Sequence, residues 1–264
     1  MKYEKIKDGY VVLIPKYNHY GNIYNKILLN KIQYFQEKNR IDFFIIDEQL
    51  KFLMEIAKYE QAIDGKQLMK ECIINILEYI FDISEKNMSL EDVYIFVNEY
   101  GKSIEKIIKE LVLRFKTVNV ITENLRYYSR LEDKLYQDGV LITVSNNKRK
   151  SARKAKYIVN VDFTEEVLQE YNINTKSIII NLNKEKLTFN NRFDGVLVNN
   201  IEVEIDKENK NYLNEFYGRI NNKIFLESRL KKGQKIEELF SEYNIKIIEL
   251  KGVRGPLNKC EFLA

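Results

Sequence analysis

The chain has 264 residues, 45% of them hydrophobic and 31% charged, a composition that excludes an intrinsically disordered protein and suits one or two globular domains. Forty-three Lys and Arg against 39 Asp and Glu leave a net charge of +4, too small by itself to argue nucleic-acid binding. Cys72 and Cys260 lie far apart with no CxxC spacing and His19 is the single histidine, which argues against a disulfide scaffold, a multi-histidine metal site and the usual zinc ligand sets.

The N-terminal apolar run is too short for a signal peptide, and no stretch approaches the roughly 18 apolar residues of a membrane helix. A cytoplasmic protein with no membrane partner is expected. Two prolines and ten glycines predict long, regular elements. Tyr10–Ile14 reads as a strand, followed by Pro15 and a polar turn through Gly21 that holds His19. Ile23, Ile27, Leu28, Ile32 and Phe35 recur at helical spacing. Ile41–Ile46 is a second strand, and a helix starts with Leu50, Leu53, Ile56 and Ala57. A longer helix spans Gln67–Phe81.

The polar connection Ser84–Asp92 marks a domain boundary, after which strand and helix alternate strictly. Strands fall at Asp92–Val97, Thr117–Thr122, Val140–Ser145, Lys156–Val161 and Ser177–Leu182. Helical stripes run over Ile104–Phe115 and Leu125–Leu135, with a short helix at Val167–Tyr171. Gly195–Ile205 contains one or two more strands, and the tail carries helices over Phe216–Leu230 and Ile236–Tyr243 before the apolar run Ile245–Leu250. Alternation of this kind buries strands on both faces and builds a parallel sheet. The predicted class is α/β, a mostly parallel sheet with helices on both faces, plus a smaller N-terminal α/β domain. Residues 1–86, 87–210 and 211–264 are the expected N-terminal domain, main domain and C-terminal helical segment packing back on the others.

One stretch carries most of the functional signal. In "IFVNEYGKSIEKIIKEL" a strand runs into Gly101, Lys102 and Ser103, and a helix follows at once. A Walker A loop would set glycines at 96 and 101, and the dinucleotide fingerprint GxGxxG would set them at 96, 98 and 101. Those first positions hold Phe96 and Asn98. Gly101 survives, the position that serves close packing of helix on strand in the dinucleotide motif. The N–H groups of the helix start at Gly101–Ser103 remain a candidate anion site.

"YGKSIEKIIKEL" followed by "VNVITEN" resembles the opening of NAD(P)-binding Rossmann domains, in a two-domain layout similar to shikimate dehydrogenase and glutamyl-tRNA reductase. The resemblance covers Asp92 to Ile205. It implies NAD(P) as cofactor, Glu123 at the position that holds the adenosine ribose, and Arg126 one turn on where it could meet a 2′-phosphate. Glu123 beside Asn124 also fits a plain helix N-cap region.

Asn146–Lys156 holds Lys148, Arg149, Lys150, Arg153, Lys154 and Lys156 with no acid, either a phosphate-binding patch or a solvated connection. Asp162 ends a strand, and Asn160 and Asn199 sit in or at the ends of strands, at the edge where open α/β sheets take ligands. His19 is the one side chain suited to general-base work near neutrality. The Tyr127 and Tyr128 pair lacks the lysine four residues on that a Tyr-x-x-x-Lys arrangement needs.

The leading expectation is a Rossmann-like protein with a degenerate dinucleotide site in a binding, regulatory or assembly role, not an active dehydrogenase. Its partner would be a small molecule or nucleotide, another protein or a second copy. The alternative is an NAD(P)-dependent oxidoreductase with an atypical phosphate-binding turn, in which Gly101, Lys102, Ser103, Glu123 and Arg126 hold the cofactor. Nucleic acid through Lys148–Lys156 is disfavoured by the near-neutral whole and the absence of interleaved aromatics.

Overall fold

The strand sequence "DVYIF" is apolar at every position after its first, and the computed structural model buries all four of those residues. The structure describes residues 2–6, 9–13, 22–42, 63–189, 193–206 and 221–263. The chain divides into two compact units, 1–62 and 63–264. The predicted strand Ile41–Ile46, the helix starting at Leu50, His19 and the first part of the Phe216–Leu230 helix fall largely or wholly outside the described residues.

In the first unit β1 (Lys2–Ile6) pairs antiparallel with β2 (Gly9–Leu13), and α1 (Asn22–Asn39) follows. Charged positions in Lys2–Ile6 mask the strand signal, whereas α1 lies where the apolar spacing puts it.

The second unit opens with α2 (Lys66–Glu71) and α3 (Ile73–Ser84), which break at Cys72 what the sequence reads as one helix. Then come β3 (Asp92–Phe96), α4 (Lys102–Val112), β4 (Thr117–Ile121), α5 (Leu125–Gln137), β5 (Ile142–Ser145), β6 (Tyr157–Asn160), α6 (Glu165–Glu170), β7 (Ile178–Asn181) and β8 (Val196–Val198). The six strands form one fully parallel sheet in the order β5-β4-β3-β6-β7-β8. Counted from β3, that order is 3-2-1-4-5-6, the order of Rossmann domains. The fold is Rossmann-like.

Two apolar layers enclose the sheet. Val93, Ile95 and Val97 share a core with α3, α4 and α5, while Tyr94 and Phe96 share the opposite one with Leu168 of α6. Helices therefore lie on both faces. Burial is uneven, however. Strands β6, β7 and β8 are buried throughout, whereas β4 and β5 are more open, with Asn119 and Ser145 partly exposed and Thr117 and Thr143 exposed. The crossover from β5 to β6 contains only turns, so among the described residues no long helix follows β5 to cover that face of β4 and β5.

After β8 the chain leaves the sheet. Strand β9 (Asn200–Glu204) pairs antiparallel with β10 (Lys246–Lys251), and between them lie α7 (Asn222–Lys231) and α8 (Ile236–Tyr243). Leu226, Leu239, Tyr243 and Leu250 join the same apolar core as α3 and the sheet.

Candidate functional site

In a sheet of this order the chain winds away in opposite directions from β3 and β6, and the crevice outside their carboxyl ends is the ligand position. Two turns line it, Val97–Gly101 after β3 and Val161–Phe163 after β6. Main-chain bonds hold them in place: Val97 N–H donates to Ile121 C=O and Val161 N–H to Phe96 C=O, both at 2.9 Å.

Asp162 reaches across the crevice. Asn98 N–H donates to its two oxygens at 2.9 and 3.0 Å, and Glu99 N–H donates to Oδ2. A carboxylate on successive main-chain amides is the arrangement by which turns hold anions. Burial pushes the Asp162 carboxyl above the usual range, against the lowering effect of those two amides. Lys70 of α2 faces the same turn and pairs with Glu99 at 2.6 Å.

Asn98 links the turn to the next strand. Its Oδ1 accepts from Glu123 N–H at 2.8 Å and from Thr122 Oγ1 at 3.2 Å. From the α5 side the buried Tyr128 hydroxyl donates to Glu99 C=O. Val97, Asn98 and Glu99 are thus held from β4, from the turn after β6, from α2 and from α5.

Phe96 is fully buried, paired in register with Ile121 and Asn160, and packs edge-on against Phe163 and Tyr171 with ring centres 5.5 and 5.3 Å away. The strand continues through the position where both glycine motifs begin their turn. Phe96 belongs to the core on the α6 face and not to the crevice.

Gly101 has φ 134° and ψ 176°, a conformation essentially confined to glycine. A Cβ placed there would meet nothing within 4 Å. The sequence reading of Gly101 as a packing glycine is therefore corrected: it serves the backbone turn into α4, and helix and strand do not press on it. Lys102 and Ser103 are exposed in the first turn of α4. Glu123 follows β4 as expected, but its carboxylate faces Lys148 at 3.9 Å, and Lys148 also pairs with Glu170 and lies over the Tyr171 ring. Arg126 is exposed on the first turn of α5.

The edge over β6, β7 and β8 is closed by asparagines. Asn160 Nδ2 donates to Asn181 Oδ1 at 3.0 Å, and Asn181 Nδ2 donates to Asn199 Oδ1 at 2.9 Å. Asn199 in turn exchanges bonds with the main chain of Leu187, and all three asparagines are buried. On the α2 side Lys66 Nζ donates to the main-chain carbonyls of Asn181 at 2.8 Å and Asn199 at 2.9 Å. Burial first, then the nearby Lys223 ammonium, lowers the Lys66 pKa to about 8.

No protein-family model matches this sequence, and no curated protein is significantly similar to it. The site therefore stands on its own geometry. The structure brings together Asn98, Glu99, Thr122, Glu123, Lys148 and Asp162 around the crevice, while Lys102, Ser103 and Arg126 point to solvent beside it. Sequence reasoning located Asp162 at a strand end and missed Lys70 and Lys66. Their partners lie 29 or more positions away, and no local pattern signals them. Among the described residues no group of three His, Cys, Asp or Glu could hold a metal, and no helix is long and apolar enough to cross a membrane.

Proposed function

We propose that this is a Rossmann-like protein whose dinucleotide site is degenerate, acting as a binding, regulatory or assembly module in the cytoplasm and not as a dehydrogenase. The observation that carries this reading is Asp162, whose carboxylate takes the Asn98 and Glu99 N–H groups at the turn where this fold receives a pyrophosphate. A second anion at that point would meet a negative charge instead of open donors. Phe96 adds to the case, because a strand residue with a buried ring leaves no tight turn for the phosphates to approach.

The test is a titration of NADH and NADPH against the purified protein, followed by cofactor fluorescence and by thermal shift. No saturable signal at millimolar cofactor is expected. Saturable binding that Gly101→Trp abolishes would overturn the proposal in favour of the oxidoreductase reading, with Gly101, Lys102, Ser103, Glu123 and Arg126 holding NAD(P).

A further inference from the structure

The six cations of residues 148–156 do not share one environment. Lys148 is held by Glu170 and Glu123, and Lys156 pairs with Glu91 at 3.5 Å and lies over the Tyr157 ring. Ala152 and Ala155 are fully buried in the core on the α6 face. Those anchors set the orientation of the remaining four. Arg149, Lys150, Arg153 and Lys154 are all exposed, flanking the partly buried Ser151 and the buried Ala152 in one short run of turns.

The turns themselves are fixed. Ser151 N–H and Lys150 N–H both donate to Asn147 C=O, and Asn147 Oδ1 accepts from Arg149 N–H and Lys150 N–H at 3.1 Å. The four cations therefore project from an ordered base, and ligand binding need not order a loose chain first.

Beside them lies a pocket of about 240 Å³, on the face of β4 and β5 that no long helix covers among the described residues. Asn119, Thr143, Ser145, Asn147, Lys150 and Ser151 line it together with the apolar side chain of Ile121. Arg and Lys together with Ser, Thr and Asn are the side chains that contact phosphate and sugar oxygens in nucleic-acid complexes. A membrane surface fits less well, because the small side chains between the cations point inward and offer no apolar group to insert.

We propose that Arg149, Lys150, Arg153 and Lys154, with the adjoining pocket, form a phosphate-binding surface for a nucleic-acid strand or a free nucleotide. Its four cations are exposed, whereas the main-chain donors of the Asp162 crevice are already taken by that carboxylate.

The experiment uses the full chain with two probes: fluorescein-labelled single-stranded DNA, read by anisotropy, and ATP, read by calorimetry. Four phosphate contacts on a single strand give a salt slope of about −3, or a loss of about 50-fold in affinity between about 50 and about 200 mM salt. The variant Arg149→Gln/Lys150→Gln/Arg153→Gln/Lys154→Gln changes only exposed side chains, and circular dichroism checks its fold. A control, Lys109→Gln/Lys116→Gln/Lys176→Gln/Lys231→Gln, removes the same charge from exposed positions elsewhere.

Binding of either probe that the first variant abolishes and the control keeps supports the surface, and the probe that binds identifies the phosphate source. The proposal is overturned if neither probe binds at low salt. It is equally overturned if the first variant binds like wild type, or if the control loses as much affinity, which would reduce the effect to net charge.

Discussion

Asp162 Oδ1 lies 2.9 Å from the main-chain nitrogen of Asn98, sixty-four positions earlier in the chain. The contact ties the ends of β3 and β6 at the point where a ligand-bearing sheet of this order stands open. It also makes the turn after β3 dependent on an acid that no sequence motif includes.

Removing that acid uncovers two donors. Asp162→Ala is expected to destabilise the protein by about 1–3 kcal/mol, the usual cost of stranding hydrogen-bond donors, with water at the exposed Glu99 holding it toward the lower end. The variant is also expected to gain thermal stability from millimolar inorganic pyrophosphate, which wild type does not. Urea melts with and without pyrophosphate check both parts. A variant as stable as wild type would remove Asp162 from the account.

Positions 96 and 101 separate two kinds of glycine argument. Phe96→Gly restores the motif residue but empties a fully buried ring site, at a cost of about 3–5 kcal/mol, and it confers no NADH binding. Gly101→Ala has ample space for its methyl group, yet it is expected to cost about 1–3 kcal/mol because its φ and ψ are open essentially to glycine alone. Chemical denaturation of both variants, with an NADH titration of the first, decides. A neutral Gly101→Ala would show that the turn relaxes without penalty.

Lys66 sets a pH dependence. Its folded pKa of about 8 lies below the ordinary lysine value, so between those two values the unfolded chain binds the additional proton. Stability attributable to Lys66 therefore rises with pH through that window, by about 2 kcal/mol between pH 8 and pH 10. The neutral amine retains two N–H donors, enough for the carbonyls of Asn181 and Asn199. Melts of wild type and Lys66→Met at both pH values isolate this contribution. A constant difference between the two proteins would contradict it.

The sheet was readable because β3, β6, β7 and β8 are nearly unbroken apolar runs, and because amphipathic stripes mark α4 and α5. Even the half-open character of β4 was present in "TVNVI", where Val118 and Val120 alternate with Thr117 and Asn119. Other features have no local trace. Nothing near Asn200 announces that β9 leaves the parallel sheet to pair with β10, since β9 shows ordinary apolar alternation and β10 reads as a plain apolar run. Gly101 looked like a packing residue because its motif position suggests one, whereas only its backbone angles reveal its use. The basic segment was visible as charge, but the division into two held cations and four exposed ones depends on Glu91, Glu123 and Glu170, which lie elsewhere in the chain.

The asparagines across β6, β7 and β8 have a consequence for assembly of the sheet. Asn160 stands opposite Asn181 in the strand register, and Asn199 follows Val198, whose partner is Ile180. Sliding any one strand by a single residue would turn its asparagine to the other face and sever its amide bond to the neighbouring asparagine, both bonds in the case of β7. Apolar strands rich in isoleucine and valine would otherwise tolerate such a slip, since nearly every position is apolar. The three amides act as a key that only one alignment of the strands can turn.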